Sequence, residues 1–232
     1  MTTNESVFAV ARSVWGRASR FPIAKEDYYP EHADAQEFDR HTGKTILDYG
    51  CGGGPDTMSY LRRKNFVIFA DIVPENIHTT MGRVANAGYT YTSSGLHLKK
   101  SDEIPVESGC CDVVSSHGVL HHIPDPIPVL QEFKRILKPD GELYIMLYTE
   151  HLWKDLLPNT VAFRQRTQSD EEAFAWATDG PGAPYATYYT EEGGTKLLAA
   201  AGFKVTSTFC YHDGKFRTYR AKPVRDVGPR GK

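Results

Sequence analysis

From Lys44 to Tyr148 the hydrophobic positions fall in short runs: KTILDY, FVIFADI, YTYTS, CDVVSS and GELYIMLY. Each run is rich in β-branched, aromatic and aliphatic residues, the composition of strands covered on both faces. Segments of helical period separate them. Residues Pro55 to Lys64 follow a cluster of glycines, Pro74 to Ala87 open on a proline and stop at Gly88, and Asp125 to Leu137 end before Lys138, Pro139, Asp140 and Gly141. In the last segment Val129, Leu130, Phe133, Ile136 and Leu137 recur at helical spacing and form one apolar face, which predicts docking on a sheet. Strands alternating with helices predict parallel strands joined by crossovers, an open α/β sheet.

After Tyr148 the pattern changes. Residues 151–189 mix aromatic residues, charges and the stretch TDGPGAPYATYY, too long for an ordinary connection between a strand and a helix. Glu191 to Ala201 read as a helix closed by Gly202, and FKVTSTFCYHDGKFRTYRAKP reads as two strands around an Asp213-Gly214 turn, an antiparallel hairpin. No internal repeat and no second domain is visible. Residues 1–43 read as an N-terminal helical or lid segment, 44–222 as the core with 151–189 as an insertion over the ligand edge, and 223–232 as a frayed tail.

Composition narrows the classes. Lys and Arg number 27 against 29 Asp and Glu, a formal charge of −2, so no global basic field points to nucleic acid or an anionic membrane. No apolar run approaches the roughly 20 residues that span a bilayer, and the start lacks the charge and apolar order of a secretory leader. Cys51, Cys110, Cys111 and Cys210 form no CxxC pair, which fits reduced thiols in a cytoplasmic chain. Cys51 reads as a small packing thiol rather than a nucleophile.

The glycines carry the chemistry. Gly50, Gly52, Gly53 and Gly54 stand at the end of the first strand, where they bare the backbone to a ligand at the carboxyl edge of a parallel sheet. Asp71 ends the next strand, placed to accept hydrogen bonds from both hydroxyls of a ribose. A dinucleotide fingerprint starting at Gly50 requires glycine at position 55, which is Pro55. The spacing is GxGxG, and it points to a nucleoside-containing cofactor other than a dinucleotide.

The stretches ILDYGCGGGPDT, FADI and EIPVESGCCDVVSSHGVLHHIPDPIPVLQEFKRILKPDGELYIMLY resemble the class I S-adenosylmethionine-dependent methyltransferases, especially the small-molecule branch that includes ubiquinone/menaquinone-type enzymes. The resemblance runs from about Lys44 to Tyr148, and the last hairpin is similar to the reversed seventh strand of that fold. It implies a single-domain, Rossmann-like α/β fold: a seven-stranded, mostly parallel sheet with a reversed final strand and helices on both faces. It also implies S-adenosylmethionine as cofactor and S-adenosylhomocysteine as product. By resemblance, Gly50, Gly52 and Gly54 line the methionine moiety and Asp48 orients its ammonium group. Asp71 takes the ribose, Ile72 lies against the adenine, and Ser116 and His117 lie beneath the cofactor. Two departures stand out: Lys100 occupies the place of an adenine-reading Asp, leaving Ser101, Asp102 or main-chain contacts to replace it, and KPDG stands where KPGG is usual.

Methyl transfer from a sulfonium is an in-line displacement, so the protein mainly aligns the reactants and excludes water. An acceptor that must lose a proton calls for a base, and His117 and His121 are the candidates, with His122 behind them. No metal site is expected, because no acidic partner accompanies these histidines at ligand spacing. Tyr28, Tyr29, Tyr185, Tyr188 and Tyr189 are expected to cover the acceptor, while Arg164 and Arg166 read as a solvated helix face. The expected activity is methyl transfer to oxygen or nitrogen of a small molecule, with carbon as a third option and no nucleic-acid partner. Its rivals are an NAD-type oxidoreductase and a non-catalytic cofactor-binding partner protein. The sequence fixes neither acceptor nor oligomeric state.

Overall fold

The computed structural model describes residues 3–5, 10 and 30–225. Tyr28, Tyr29 and most of the expected N-terminal lid, together with residues 226–232, lie outside them. After a short helix α1 (Pro30–Gln36) the chain forms β1 (Thr45–Tyr49), α2 (Pro55–Arg62), β2 (Phe66–Asp71), α3 (Pro74–Asn86), β3 (Ser93–His97) and β4 (Cys111–His117). It continues as α4 (Ile127–Ile136), β5 (Leu137–Tyr148), α5 (Glu150–Arg164), α6 (Asp170–Asp179), α7 (Glu191–Ala200), β6 (Phe203–Tyr211) and β7 (Phe216–Pro223). The seven strands lie in the order β3-β2-β1-β4-β5-β7-β6. Neighbours are parallel from β3 to β5, and β7 runs antiparallel between β5 and β6.

Strand residues alternate between two cores. Leu47, Val114, Leu143 and Ile145 pack with Val129, Leu130, Phe133 and Ile136 of α4 and Leu198 of α7, all fully buried. Ile46, Val67, Phe69 and Val113 pack on the opposite face with Met58 and Leu61 of α2 and Ile77 and Val84 of α3. The apolar face expected on α4 is therefore the face that docks, and each such side chain contributes about 1.5–3 kcal/mol through burial.

Two local expectations are corrected. YTYTS is not the third strand: Thr90–Thr92 form a 3-10 turn after Gly88, Tyr91 is fully exposed, and pairing starts at Ser93 opposite Val67. Tyr and Thr have the propensity for a strand there, but the positive φ of Gly88 and the turn that follows delay the chain. Gly95 lets this edge strand lie close to Phe69, whose ring would stand 2.7 Å from an added Cβ. The other correction concerns KPDG, which interrupts rather than precedes β5. Leu137 already pairs with Cys111, and pairing resumes at Glu142 opposite Val113 with a shift in register.

The 151–189 insertion is a helical hairpin. Thr149 caps α5 by accepting from the His151 amide, and Ser169 caps α6 by accepting from the Glu172 amide. Leu152, Phe174, Ala175, Ala183 and Ala186 form its own small core, with Tyr148, Trp153 and Phe216 packed against it. Arg164 pairs with Asp170 on the surface, as expected of a solvated face.

Candidate active site

The chain winds from β1 to β2 and β3 on one side of the sheet and to β4 and β5 on the other, which leaves a crevice at the carboxyl ends of β1 and β4. The glycine turn lies at this crevice. Gly50, Gly52 and Gly54 have φ of +75°, +53° and +83°, conformations that glycine adopts without strain. An added Cβ on Gly50 would stand 2.2 Å from Val119, and one on Gly54 2.7 Å from Thr80. A Cβ on Gly52 meets nothing within 4 Å among the described residues, so among them the bare backbone there faces open space.

Neighbouring strands fix the turn. The amides of Gly50 and Cys51 donate to the Ala70 carbonyl at 2.8 and 3.0 Å. Asp71 reaches across from the end of β2 and accepts from the amides of Gly52 at 2.9 Å and Val73 at 2.8 Å. Burial pushes its carboxyl up from the ordinary value, and these amide hydrogen bonds act against that rise. Asp48, buried in β1, accepts from the Thr57 hydroxyl at 2.5 Å. Burial pushes the Cys51 thiol well up, away from the thiolate a nucleophile needs.

Ile72 follows Asp71, half-buried against the core. Ser101 is buried, and its carbonyl accepts from the Tyr49 hydroxyl at 2.7 Å. Lys100 is exposed and pairs with Glu103 at 2.6 Å. Ser116 is buried in β4 beside His117, and its hydroxyl has no hydrogen-bond partner among the described residues.

His117, the last residue of β4, belongs to a cluster that local spacing did not reveal. Its Nδ1 lies 3.3 Å from Asp56 Oδ2, and its Nε2 lies 3.1 Å from the Tyr211 hydroxyl. His32 of α1 makes the parallel set: Nε2 to Asp56 Oδ1 at 2.9 Å and Nδ1 to the Tyr211 hydroxyl at 3.4 Å. The two imidazoles stack at 4.1 Å with 17° between their planes. All four side chains are buried. Asp56 sits in the first turn of α2, where the helix dipole favours a carboxylate. Burial pushes its carboxyl up, but the two histidines outweigh it and hold the group well below the usual carboxylate range.

Proton counting defines the cluster further. Asp56 accepts from both rings, so each ring carries a proton on that side. Both remaining ring nitrogens face one phenol, which has a single proton to donate. These four contacts are satisfied together when one ring is imidazolium and the other neutral, with Asp56 balancing the charge. The acidic partner that spacing denied to His117 is thus Asp56, supplied by the fold. By composition His32, Asp56 and His117 could hold a metal ion, their ligand atoms lying within 4.8 Å of one another. Stacked rings, however, send their nitrogen lone pairs side by side rather than to one point, and ligation would require the rings to splay.

The other histidines differ. His121 is fully buried, its ring stacked on Tyr148 at 3.5 Å, and its Nδ1 accepts from the Tyr148 amide at 3.4 Å. His122 holds the helical hairpin: its Nδ1 donates to the Tyr185 carbonyl at 2.9 Å and its Nε2 lies 3.6 Å from Asp179. Tyr188 stacks on Trp153 at 5.1 Å, and the Tyr189 amide donates to the Tyr148 carbonyl at 2.9 Å. Tyr185, Tyr188 and Tyr189 are thereby placed on the hairpin and its junction with β5. His32, Asp56 and Tyr211 were not singled out by sequence. An acid in a first helical turn is ordinary, and four residues scattered from 32 to 211 share no local pattern.

Comparison with known proteins completes the picture. A ubiquinone biosynthesis O-methyltransferase of Haemophilus ducreyi is 30% identical over 105 residues, covering 44% of each chain. A tRNA 5-carboxymethoxyuridine methyltransferase of Escherichia coli is 25% identical over 171 residues, 72% of this chain and 64% of that one. The chain spans about half the length of the curated ubiquinone-type relatives it matches, 44% in one and 57% in another. Among solved structures, the 1,6-didemethyltoxoflavin-N1-methyltransferase of Burkholderia thailandensis shares the fold with a TM-score of 0.67 at 18% identity, over 97% of this chain and 92% of that one. The model of the methyltransferase domain matches residues 26–208, from before α1 into β6 and so across the glycine turn and the crevice, and the chain belongs to that family.

Proposed function

We propose that this chain transfers the methyl group of S-adenosylmethionine to an oxygen or nitrogen of a small-molecule acceptor. The observation that carries this reading is the glycine turn, whose Gly52 backbone faces open space among the described residues while Asp71 spans the turn from the next strand. That cradle, with the unpartnered Ser116 hydroxyl beside it, suits a ligand with a polar amino-acid end and a ribose. Gly50, Gly52 and Gly54 would line the methionine end, with Asp48 orienting its ammonium group. Asp71 would take the ribose hydroxyls, Ile72 and Ser101 the adenine side, and Ser116 and His117 the underside.

The cofactor supplies an activated methyl on a sulfonium, so the residues need only align, dry and deprotonate. His117 is the base in this reading, because Asp56 fixes its ring through Nδ1 and favours positive charge there. His121 is assigned to packing, its ring being covered by Tyr148. The hairpin bearing Tyr185, Tyr188 and Tyr189 is the cover of the acceptor side in this reading. Pro55, the antiparallel β7 and membership of the methyltransferase family speak against the NAD-type alternative.

The test is calorimetry of the full chain with S-adenosylmethionine, S-adenosylhomocysteine and NAD, followed by labelled-methyl transfer to metabolite pools and, separately, to tRNA. Binding of both sulfur ligands with transfer to a small molecule is expected. Preference for NAD overturns the cofactor, and transfer to tRNA alone overturns the acceptor class. Cofactor binding without transfer to either pool leaves the non-catalytic reading.

A further inference from the structure

Both ring nitrogens of His117 are engaged, and this sets the route by which a proton can reach it. Nδ1 faces Asp56 and already carries the hydrogen that the carboxylate accepts. A proton can therefore enter at Nε2, and the atom standing there is the Tyr211 hydroxyl oxygen at 3.1 Å. The same oxygen lies 3.4 Å from His32 Nδ1, the corresponding nitrogen of the stacked ring. One phenol thus faces two imidazoles, and one carboxylate backs both.

We infer that Tyr211 is a catalytic residue through which the acceptor loses its proton, and that His32 and His117 are alternative holders of that proton. The inference rests on the proposed methyl transfer and names the acceptor class: a group carrying an O–H or N–H that must be lost, such as a phenol or a secondary amine. In the step, a lone pair of the acceptor oxygen or nitrogen forms the bond to the methyl carbon, and the electrons of the carbon–sulfur bond stay on sulfur. The acceptor's proton passes to the Tyr211 oxygen as Tyr211's own proton passes to the neutral ring, whose lone pair receives it. Both rings are then imidazolium, and Asp56, hydrogen-bonded to each, offsets one of the two charges. A tertiary amine or thioether has no proton to lose and gains nothing from this relay. His32 is a positioning residue as well, since its stacking holds the His117 ring in the plane that meets both Asp56 and Tyr211.

A second imidazole predicts an unusual pattern of variants. The full chain and its Tyr211→Phe, His32→Gln, His117→Gln and His32→Gln/His117→Gln variants are compared in two assays. In nitrogen-15 NMR of labelled histidine with S-adenosylhomocysteine bound, Tyr211→Phe is expected to move the resonances of both rings, because both lose the same partner. In labelled-methyl transfer to a panel of phenols, secondary amines and tertiary amines, the first two classes are expected to react. Each single histidine variant then loses about tenfold in turnover and the double variant and Tyr211→Phe about 100-fold or more, within the range of acid–base catalysis. In Tyr211→Phe and His32→Gln, cofactor affinity stays within about twofold of wild type, which separates lost proton transfer from lost binding.

Wild-type turnover in Tyr211→Phe overturns the inference, as does methylation confined to tertiary amines. If no panel member reacts, the NMR arm decides alone: unchanged resonances of either ring in Tyr211→Phe overturn the relay. Failure of the wild-type chain to bind S-adenosylmethionine or S-adenosylhomocysteine in calorimetry strikes instead at the proposed function.

Discussion

Replacing Asp56 by Asn tests whether the buried cluster is a charged network or a set of neutral contacts. The carboxylate is 4% exposed and accepts from His32 at 2.9 Å and from His117 at 3.3 Å. Asn keeps the volume and one acceptor oxygen, but turns an NH2 group on the N–H of the other ring. One hydrogen bond to a charged group is lost outright, about 1.5–3 kcal/mol, and the remaining imidazolium loses its buried counter-charge. Breaking a buried pair costs about 3–5 kcal/mol, which the retained oxygen reduces to an expected loss of about 2–4 kcal/mol. For a chain of this size that is a fall in Tm of about 4–16 °C. Because the folded-state value of Asp56 lies well below its ordinary 3.8, its stabilisation is complete above that value and is lost only as the pH falls through the lower folded-state value. The gap between wild type and Asp56→Asn should therefore not shrink between pH 7 and pH 5. Urea and thermal unfolding of both proteins at these two pH values measure it. A gap under about 0.5 kcal/mol, the size of an ordinary surface substitution, or one that closes by pH 5, refutes the charged network.

Three other outcomes follow from neighbouring groups. Asp71→Ala removes the acceptor of the Gly52 and Val73 amides, so calorimetry should show S-adenosylhomocysteine binding at least tenfold weaker, a loss of about 1.4 kcal/mol; unchanged affinity would mean the ribose lies elsewhere. Gly50→Ala forces a Cβ to 2.2 Å from Val119 at a φ of +75°, and cofactor binding should disappear while circular dichroism still reports a folded chain or a fold weakened by about 1–3 kcal/mol. His41 is buried and its imidazole is held down to about 4 by burial, against an ordinary 6.5. The unfolded chain takes up that proton first, so stability is full above pH 6.5 and falls as the pH drops toward 4, at up to about 1.4 kcal/mol per unit. His41→Phe should flatten that part of the stability profile, and an equally steep profile in the variant would assign the slope to another group.

The parts of the molecule legible in the sequence are those whose cause is local. β1, β2, β4 and β5 announced themselves because strands covered on both faces need unbroken apolar runs, and α4 because its buried stripe recurs every three or four residues. The glycine turn was legible because a left-handed backbone at the end of a strand is written in glycine itself. β3 was misplaced because it is an edge strand with half-exposed faces, so SSGLH carries little apolar signal while the exposed YTYTS carries a strong propensity. The hairpin formed by α5 and α6 was seen only as an insertion, since its small core draws on Tyr148 and Phe216, which read as ordinary strand residues.

The same distinction separates the two ends of the reaction site. Gly50, Gly52, Gly54 and Asp71 lie within a single β-α-β unit, so the proposed cofactor cradle is a local property of the fold. The proposed proton relay is assembled differently: α1 brings His32, α2 Asp56, β4 His117 and β6 Tyr211, and each is unremarkable in its own segment. Only the sheet order, which sets β4 between β1 and β5 and returns β6 to the same edge, makes them neighbours. Substitutions at positions 32, 56 and 211 can therefore change which acceptors are deprotonated while leaving the glycine turn intact. In the proposed relay acceptor specificity resides in those three positions, and Tyr211→Phe should narrow the range of acceptors toward those already ionised at the working pH. Loss of activity on phenols of high pKa, with activity retained on phenols of low pKa, is the outcome that follows from a proton relay; equal loss on both would assign Tyr211 to packing.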